Sequence, residues 1–312
     1  MKENKIWNDY LPEDMQEHWT VYECLKESED SSTFLVKETA TGILCVLKWG
    51  RNRQTEFLRN EMEIMKKMAD RKLSGIPKAY RIFEENGEVY LVREYIEGMS
   101  LAQMVLQKGG ISEAEICRIS RKICQTAEQF QNPDEPMIHR DIKPENIVVT
   151  PGGEVVFIDF GTMRSYKKDG SRDTFVVGTR GTAAPEQYGY TQTDQRTDVY
   201  AIGQTMLYMV SESYEMNQLS ECAVSRRMKK IIEKACSFEP DKRYGDAAQL
   251  RRAVEKCQAN NRKKVYKKAG AVFGLIAAGY ILAIFSPDGT VIETKGLKRQ
   301  NRVRQKNRYR QR

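Results

Sequence analysis

The sequence predicts an α+β fold of two lobes, a small β-rich one followed by a larger helical one, with a further apolar helix near the C-terminus. Three observations predict it. Residues 20–95 alternate in strand fashion around a single helical stretch. From Ser112 onward the apolar residues recur at three- and four-residue steps instead. Finally, Ala269 to Phe285 runs for 17 residues without a charge. At 312 residues and 40% hydrophobic content, the chain can bury one or two ordinary cores.

Taken in order, residues 1–19 are a polar lead-in with Trp7, Tyr10 and Trp19 set among acids. They lack the charged-then-apolar pattern of a signal peptide and are expected to pack on the small lobe. Strand-like runs follow at Ser32 to Lys37, Ile43 to Lys48, Tyr80 to Phe83 and Glu88 to Tyr95. The apolar run from Ile43 to Leu47 reads as a buried strand. Between these, Phe57, Glu61, Ile64, Met65 and Met68 mark a helix over Thr55 to Met68. In the large lobe a helix covers Ser112 to Phe130, opened by a Ser112-x-x-Glu115 capping box. Further helices fit Thr197 to Val210, Ser225 to Ser237 and Ala247 to Cys257. The small lobe is thus about 20–95 and the large lobe about 96–257. A basic segment at 258–268, the apolar helix at 269–285 and a basic tail at 286–312 complete the chain.

Composition narrows the function. The seven cysteines form no C-x-x-C pair and suit a reducing compartment rather than a disulfide framework. Only His18 and His139 exist, which leaves no His-rich metal site and no spare histidine for a hydrolase triad. The net charge of +8 belongs to the C-terminal region: residues 258–312 carry 14 Lys/Arg against Asp288 and Glu293, a net of +12, so residues 1–257 carry −4. The basic balance is therefore no argument for nucleic-acid binding by the globular part.

The motifs carry the chemistry. His139-Arg140-Asp141-Ile142-Lys143-Pro144-Glu145-Asn146 is followed, thirteen residues after Asn146, by Asp159-Phe160-Gly161, and later by Ala184-Pro185-Glu186. Phosphoryl transfer needs positioning and counter-charge rather than covalent work. One carboxylate must orient the acceptor hydroxyl, a second carboxylate and an amide oxygen must hold a metal, and a lysine must face the phosphates. These ordered motifs resemble those of the bacterial eukaryotic-like (Hanks-type) Ser/Thr protein kinases over about residues 20–257.

The resemblance implies a two-lobed protein-kinase fold, ATP as phosphoryl donor, Mg²⁺ or Mn²⁺ as metal, and protein substrates bearing Ser or Thr. It implies Asp141 as the catalytic aspartate, Lys143 as the loop lysine, and Asn146 and Asp159 as metal ligands. Cys45-Val46-Leu47-Lys48 fills the place of the strand lysine, so Lys48 is expected on the α/β-phosphates. Glu61 is its expected partner; Glu63 falls off that register, and the alternative is a solvated Glu61. Glu94, Ile96, Val148, Ser28 and Ser31 complete the expected cofactor-binding set. Glu186 and Arg243 resemble the family's buried ion pair, and Asp198 the residue that braces the catalytic loop. Ser165, Ser171, Thr174 and Thr179 fall in the activation segment. With Arg140 before Asp141, phosphorylation at Ser171 or Thr174 is expected to order that segment. A constitutively ordered segment is the alternative.

Several positions depart from the family. The glycine-rich phosphate loop is replaced by Lys26-Glu27-Ser28-Glu29-Asp30-Ser31, with no glycine and three acids. Those acids must point outward or nucleotide binding suffers. Val46 is larger than the usual alanine. Arg93 occupies the place behind the adenine pocket, where it either competes with Lys48 for Glu61 or reaches toward solvent. The stretch from Ser211 to Ala223 is short, so one large-lobe helix is expected to be abbreviated. The rival reading is therefore a pseudokinase, an ATP-binding membrane scaffold; a small-molecule phosphotransferase is a third, disfavoured by the Gly178-Thr179-Arg180-Gly181 and Ala184-Pro185-Glu186 platform.

The 17-residue segment at 269–285 spans about 25 Å as a helix, the lower limit for a bilayer. Arg262, Lys263, Lys264, Lys267 and Lys268 precede it, consistent with a cytoplasmic catalytic domain on a single-pass membrane protein. Nine Lys/Arg in the tail leave its side of the membrane open, with anionic lipid or envelope polymer as its partner. No folded sensor is expected outside. Gly270, Gly274 and Ala278 share one helix face, which suits a homodimer as well as it suits ordinary membrane-helix composition.

Overall fold

The computed structural model describes residues 11–132, 134–166, 178–189 and 192–259. The described residues up to Gln258 form one compact unit. No helix among the described residues is long and apolar enough to cross a membrane. The segments at 1–10, 258–268 (beyond 259), 269–285 and 286–312, with the Gly270, Gly274 and Ala278 face, lie outside them.

The small lobe begins with a one-turn helix α1 (Glu13–Gln16). Five strands follow: β1 (Trp19–Glu27), β2 (Ser31–Glu38), β3 (Leu44–Gly50), β4 (Ala79–Glu85) and β5 (Glu88–Glu94). They form one antiparallel sheet in the order β1-β2-β3-β5-β4. Strand alternation sorts the side chains. Phe34, Val36, Cys45, Leu47, Tyr90 and Val92 face a core closed by Leu11, Met15 and Trp19, so the described part of the lead-in, 11–19, packs on the small lobe. On the opposite face, Val46 pairs with Arg93 and Lys48 with Leu91. A one-residue slip of β3 or β5 would exchange these faces. Helix α2 (Gln54–Asp70) lies on this second face through Leu58 and Met62, against Val89 and Leu91.

Its lower part reaches the large lobe. Ile64, Met65 and Met68 belong to the same buried cluster as Phe130, Phe157 and Phe160. The large lobe contains β6 (Met99–Ser100), α3 (Leu101–Lys108), α4 (Glu113–Phe130), β7 (Met137–Ile138), β8 (Ile147–Val149), β9 (Val155–Phe157), β10 (Arg164–Ser165), α5 (Gln195–Ser211), α6 (Arg226–Ala235) and a helix α7 at 247–259. Helix α3 and strand β1 escaped the sequence reading. Helix α3 is short and starts at a reciprocal box, Ser100 Oγ accepting from the Gln103 amide and Gln103 Oε1 from the Ser100 amide.

The box expected at α4 is only half made. Ser112 Oγ accepts from the Glu115 amide, but the Glu115 carboxylate goes to Lys108 at 2.8 Å. Helix α5 is buried on nearly every side, from Val199 through Met209, and so forms the centre of the lobe. It crosses α6 where a Cβ on Gly203 would lie 2.7 Å from the Cβ of Ala235, an approach only glycine permits. Between α5 and α6 there is a 3-10 turn at Met216–Ser220 in place of a longer helix, as the short sequence there predicts.

Candidate active site

A cleft of about 760 Å³ lies between the lobes. From above it is lined by Val46 and Lys48 of β3, Arg93 of β5, and Phe57, Leu58 and Glu61 of α2. From below come Lys143, Asn146, Val148, Asp159 and Thr179. The strand parity that turns Lys48 into the cleft also brings it to α2: its Nζ lies 2.8 Å from both carboxylate oxygens of Glu61. Glu61 is 1% exposed, whereas Glu63 pairs with Lys67 at the surface. The register argument for Glu61 over Glu63 therefore holds. Burial raises the Glu61 pKa above the usual carboxylate range, and the Lys48 charge works against that rise. Lys48 also lies 3.5 Å from Asp159, leaving it between two carboxylates.

Three side chains gather on Asp141, in the loop after β7. Lys143 Nζ is 2.8 Å from Oδ2, Asn146 Nδ2 donates to Oδ2 at 2.9 Å, and Thr179 Oγ1 donates to Oδ1 at 2.7 Å. Lys143 also donates to Thr179 at 2.6 Å. Thr179 was expected only as part of the activation segment; the structure puts its hydroxyl on the Asp141 carboxylate. This loop needs a brace because Arg140 sits at φ +68°, a strained conformation for a non-glycine residue. Asp198, wholly buried on α5, supplies it by accepting from the amides of His139 and Arg140, each at 3.0 Å. Burial pushes the Asp198 pKa up to about 6, and the two amides oppose the rise. His139 is 1% exposed and packs edge-on to Phe157 at 5.4 Å. Burial lowers its pKa to about 4, so it is neutral and structural.

The expected metal ligands fit a hard cation. Asn146 spends its amide nitrogen on Asp141, which leaves its side-chain oxygen as the atom to offer. The Asp159 carboxylate is 40% exposed to the cleft. Burial of its surroundings disfavours the charge, but Lys48 and the Gly161 amide outweigh that and bring its pKa to about 2. It is an anion at any working pH. No cluster of three or more His, Cys, Asp or Glu suited to a metal occurs among the described residues. Two protein oxygens, completed by phosphates and water, are what a magnesium ion at a phosphoryl-transfer site takes. Asn60, missed in the sequence, ties α2 to this region by donating to the carbonyls of Gly161 and Met163 at 2.9 and 2.8 Å.

Val46, Val148, Tyr95 and Ile96 contribute an apolar slot to the cleft lining. Glu94 does not line it; its carboxylate accepts from the Lys78 amide at 3.0 Å. Arg93 does neither of the two things expected of it. It is 3% exposed, and among the described residues it makes no ion pair, because Lys48 holds Glu61. Its Nη1 donates to the Glu94 carbonyl at 3.0 Å.

The acidic turn is also different from a phosphate loop. Residues 28–30 form a tight hairpin connection closed by the Ser28 amide on the Ser31 carbonyl at 2.8 Å and by contact of the two hydroxyls at 2.8 Å. Ser31 lines the cleft but Ser28 does not, which corrects the expectation for Ser28. Glu27 and Glu29 are exposed, and Asp30 accepts from Arg51 and Asn52 at 3.2 and 2.9 Å. None of the three acids lines the cleft. Replacing Glu27 and Glu29 with serine should therefore change nucleotide affinity less than twofold, read by titration; a tenfold gain would place their charge on the phosphates after all.

Ser165 lies in β10, paired with Met137, so its backbone is already ordered. Ser171 and Thr174 lie outside the described residues. Arg140 Nε donates to the Thr162 carbonyl at 2.7 Å. The expected ion pair is present: Arg243 Nη1 and Nη2 meet Glu186 Oε1 and Oε2 at 2.7 and 2.9 Å, with side chains 0% and 3% exposed.

Comparison with known proteins agrees with this geometry. The model of the protein kinase domain family matches residues 20–264. Serine/threonine-protein kinase D of Synechocystis is 29% identical over 253 residues, covering 71% of this chain and 48% of the relative. A probable serine/threonine-protein kinase of Clostridium perfringens is 35% identical over 147 residues, 47% of this chain and 21% of the relative. Serine/threonine-protein kinase PknB of Mycolicibacterium smegmatis is 30% identical over 184 residues, 52% and 29% respectively. The chain spans about half the length of the first of these relatives and less of the other two.

Proposed function

This chain belongs to the protein kinase family, and from that premise we propose that it is a serine/threonine kinase that transfers the γ-phosphate of ATP to protein hydroxyls. The single observation that carries the reading is the complete set around one cleft: the Lys48–Glu61 pair, Asp141 held by Lys143, Asn146 and Thr179, and Asp159 ionised beside Lys48. Asp141 is the acceptor for the substrate hydroxyl's proton and fixes that oxygen for attack. Its own two oxygens are oriented by Thr179 and Asn146, so little reorganisation is left for the reacting state. Lys143 balances the charge that gathers there, and Lys48, held by Glu61, is positioned for the α/β-phosphates. Asn146 and Asp159 would hold a divalent cation, Mg²⁺ or Mn²⁺. When bound, it would neutralise the charge on the phosphates.

The rival reading, a nucleotide-binding scaffold, drew its strength from the acidic turn. Those acids stand off the cleft, so that argument is gone. The decisive experiment incubates the purified chain with γ-labelled ATP, Mg²⁺ and a general protein substrate, and identifies the labelled amino acid. Phosphoserine or phosphothreonine supports the proposal; nucleotide binding without transfer under any metal restores the scaffold.

Membrane anchoring through 269–285, with the catalytic unit in the cytoplasm, belongs to the same proposal and is supported by the uncharged run and its basic flank. Dimerisation through the Gly270, Gly274 and Ala278 face would raise the effective concentration of two kinase units and favour phosphorylation of Ser171 or Thr174 in trans. In a membrane fractionation, the full chain should pellet and residues 1–268 should not. Recovery of the shorter chain in the pellet counts against the anchor.

A further inference from the structure

One group in the cleft has no part in the proposed reaction. Arg93 projects from the cleft face of β5, paired in register with Val46 and on the same face as Lys48. It is 3% exposed and lines the same cleft as Val46 and Val148. It carries five N–H donors and no acceptor. Among the described residues its only hydrogen bond is the one from Nη1 to the Glu94 carbonyl, and Nε has no partner. Burial pushes its pKa down, and the charges of Glu61, Asp159 and Glu94 oppose the fall. A buried donor left without an acceptor is costly, more so when charged. A ligand that brings acceptors into the slot would recover that cost.

From this we propose that Arg93 makes the cleft accept 6-oxopurine nucleoside triphosphates, inosine and guanosine triphosphate, at least as tightly as ATP. The purines differ on the edge that matters. Guanine and hypoxanthine present two acceptors, O6 and N7, which a guanidinium fork matches. Adenine presents an amine at position 6, so two donors would meet. The acceptor beside Arg93, the Glu94 carbonyl, already takes its Nη1. A site built around a buried donor discriminates against the analogue that leaves it unpaired. The proposal rests on the cleft being a nucleoside triphosphate site.

The test is displacement of a fluorescent ADP analogue from the full-length protein in Mg²⁺ by ATP, ITP and GTP. Wild type, Arg93→Gln and Arg93→Met are compared. Glutamine is the side chain that matches the amine and N7 of adenine. Wild type should bind ITP no more weakly than ATP. Arg93→Gln should move the ITP-to-ATP affinity ratio at least tenfold toward ATP, and Arg93→Met should fall between. Methionine removes a buried charge without leaving a polar group, so it keeps the test open if the glutamine variant fails to fold. ITP binding tenfold weaker than ATP in wild type overturns the proposal, as does a ratio that moves less than threefold in the folded variants. GTP weaker than ATP beside tight ITP overturns the guanosine half of the proposal, keeps the inosine half, and assigns the loss to the 2-amino group. If the ADP analogue itself does not bind, the nucleotide reading of the cleft fails, and this inference with it.

Discussion

Asp141→Asn is expected to lower the rate of phosphoryl transfer by roughly 10²–10⁴-fold, the range of a positioned general base. It should leave nucleotide affinity within about threefold. The two halves of that expectation come from different atoms. Asparagine keeps an oxygen that can accept from Thr179 and nearly the same volume, so the packing around the loop is preserved. It lacks the second anionic oxygen that meets Lys143 and Asn146 and that would receive the substrate proton. Asp141 is absent from the residues that line the nucleotide cleft, which is why binding should survive. Asp159→Asn is the contrasting variant. It removes an ionised ligand beside Lys48, so both transfer and metal-dependent nucleotide binding should fall. Rapid-quench measurement of labelled product at saturating nucleotide separates the cases. If Asp141→Asn retained a tenth of wild-type transfer, Asp141 would not be the base.

Most of this site was legible because phosphoryl transfer constrains residue type and chain order together. Asp141, Asn146 and Asp159 could be named from motifs, and Glu61 was preferred to Glu63 from helical register; the structure brings Asn146, Asp159 and Glu61 to the cleft and holds Asp141 beside it through Asn146. What escaped depends on where the chain folds back on itself. Thr179 is 38 positions from Asp141, and no periodicity links them. Asn60 is next to Glu61 in sequence and therefore turned about 100° around α2, which is how it meets Gly161 rather than Lys48. The turn at 28–30 was readable only as a departure. Its direction is set by Arg51 and Asn52, on a loop about twenty residues away. Ser28 was misplaced for the same reason: its hydroxyl is used inside the turn. Arg93 could be assigned its strand and face, but a buried arginine runs against the usual rule for charged side chains, so its depth needed coordinates.

The largest loss of stability is expected from Arg243→Ala. Arg243 lies in the loop before α7, with its side chain wholly buried against Glu186. Besides the two contacts to that carboxylate, it donates to the carbonyls of Ser237, Arg196 and Phe238 at 2.8, 3.0 and 2.8 Å. Its guanidinium also stands 4.9 Å from the Tyr200 ring. Truncation leaves a buried carboxylate whose only other partner among the described residues is the Thr197 hydroxyl, at 2.7 Å. Breaking one side of such a pair costs about 3–5 kcal/mol, far more than the pair itself is worth. For a unit of this size that corresponds to a fall in melting temperature of roughly 6–20 °C. Glu186→Gln/Arg243→Met should recover much of the loss, because no unpaired charge then remains. Glu186→Gln alone should be intermediate: it stays able to accept from Thr197 but leaves the arginine without its counter-charge. Thermal melts of the four proteins, with urea titration as a check on cooperativity, give the comparison. A melting temperature within 2 °C of wild type for Arg243→Ala would mean that water reaches the pair, and the buried contact between the peptide platform and α7's approach would not be what holds the large lobe together.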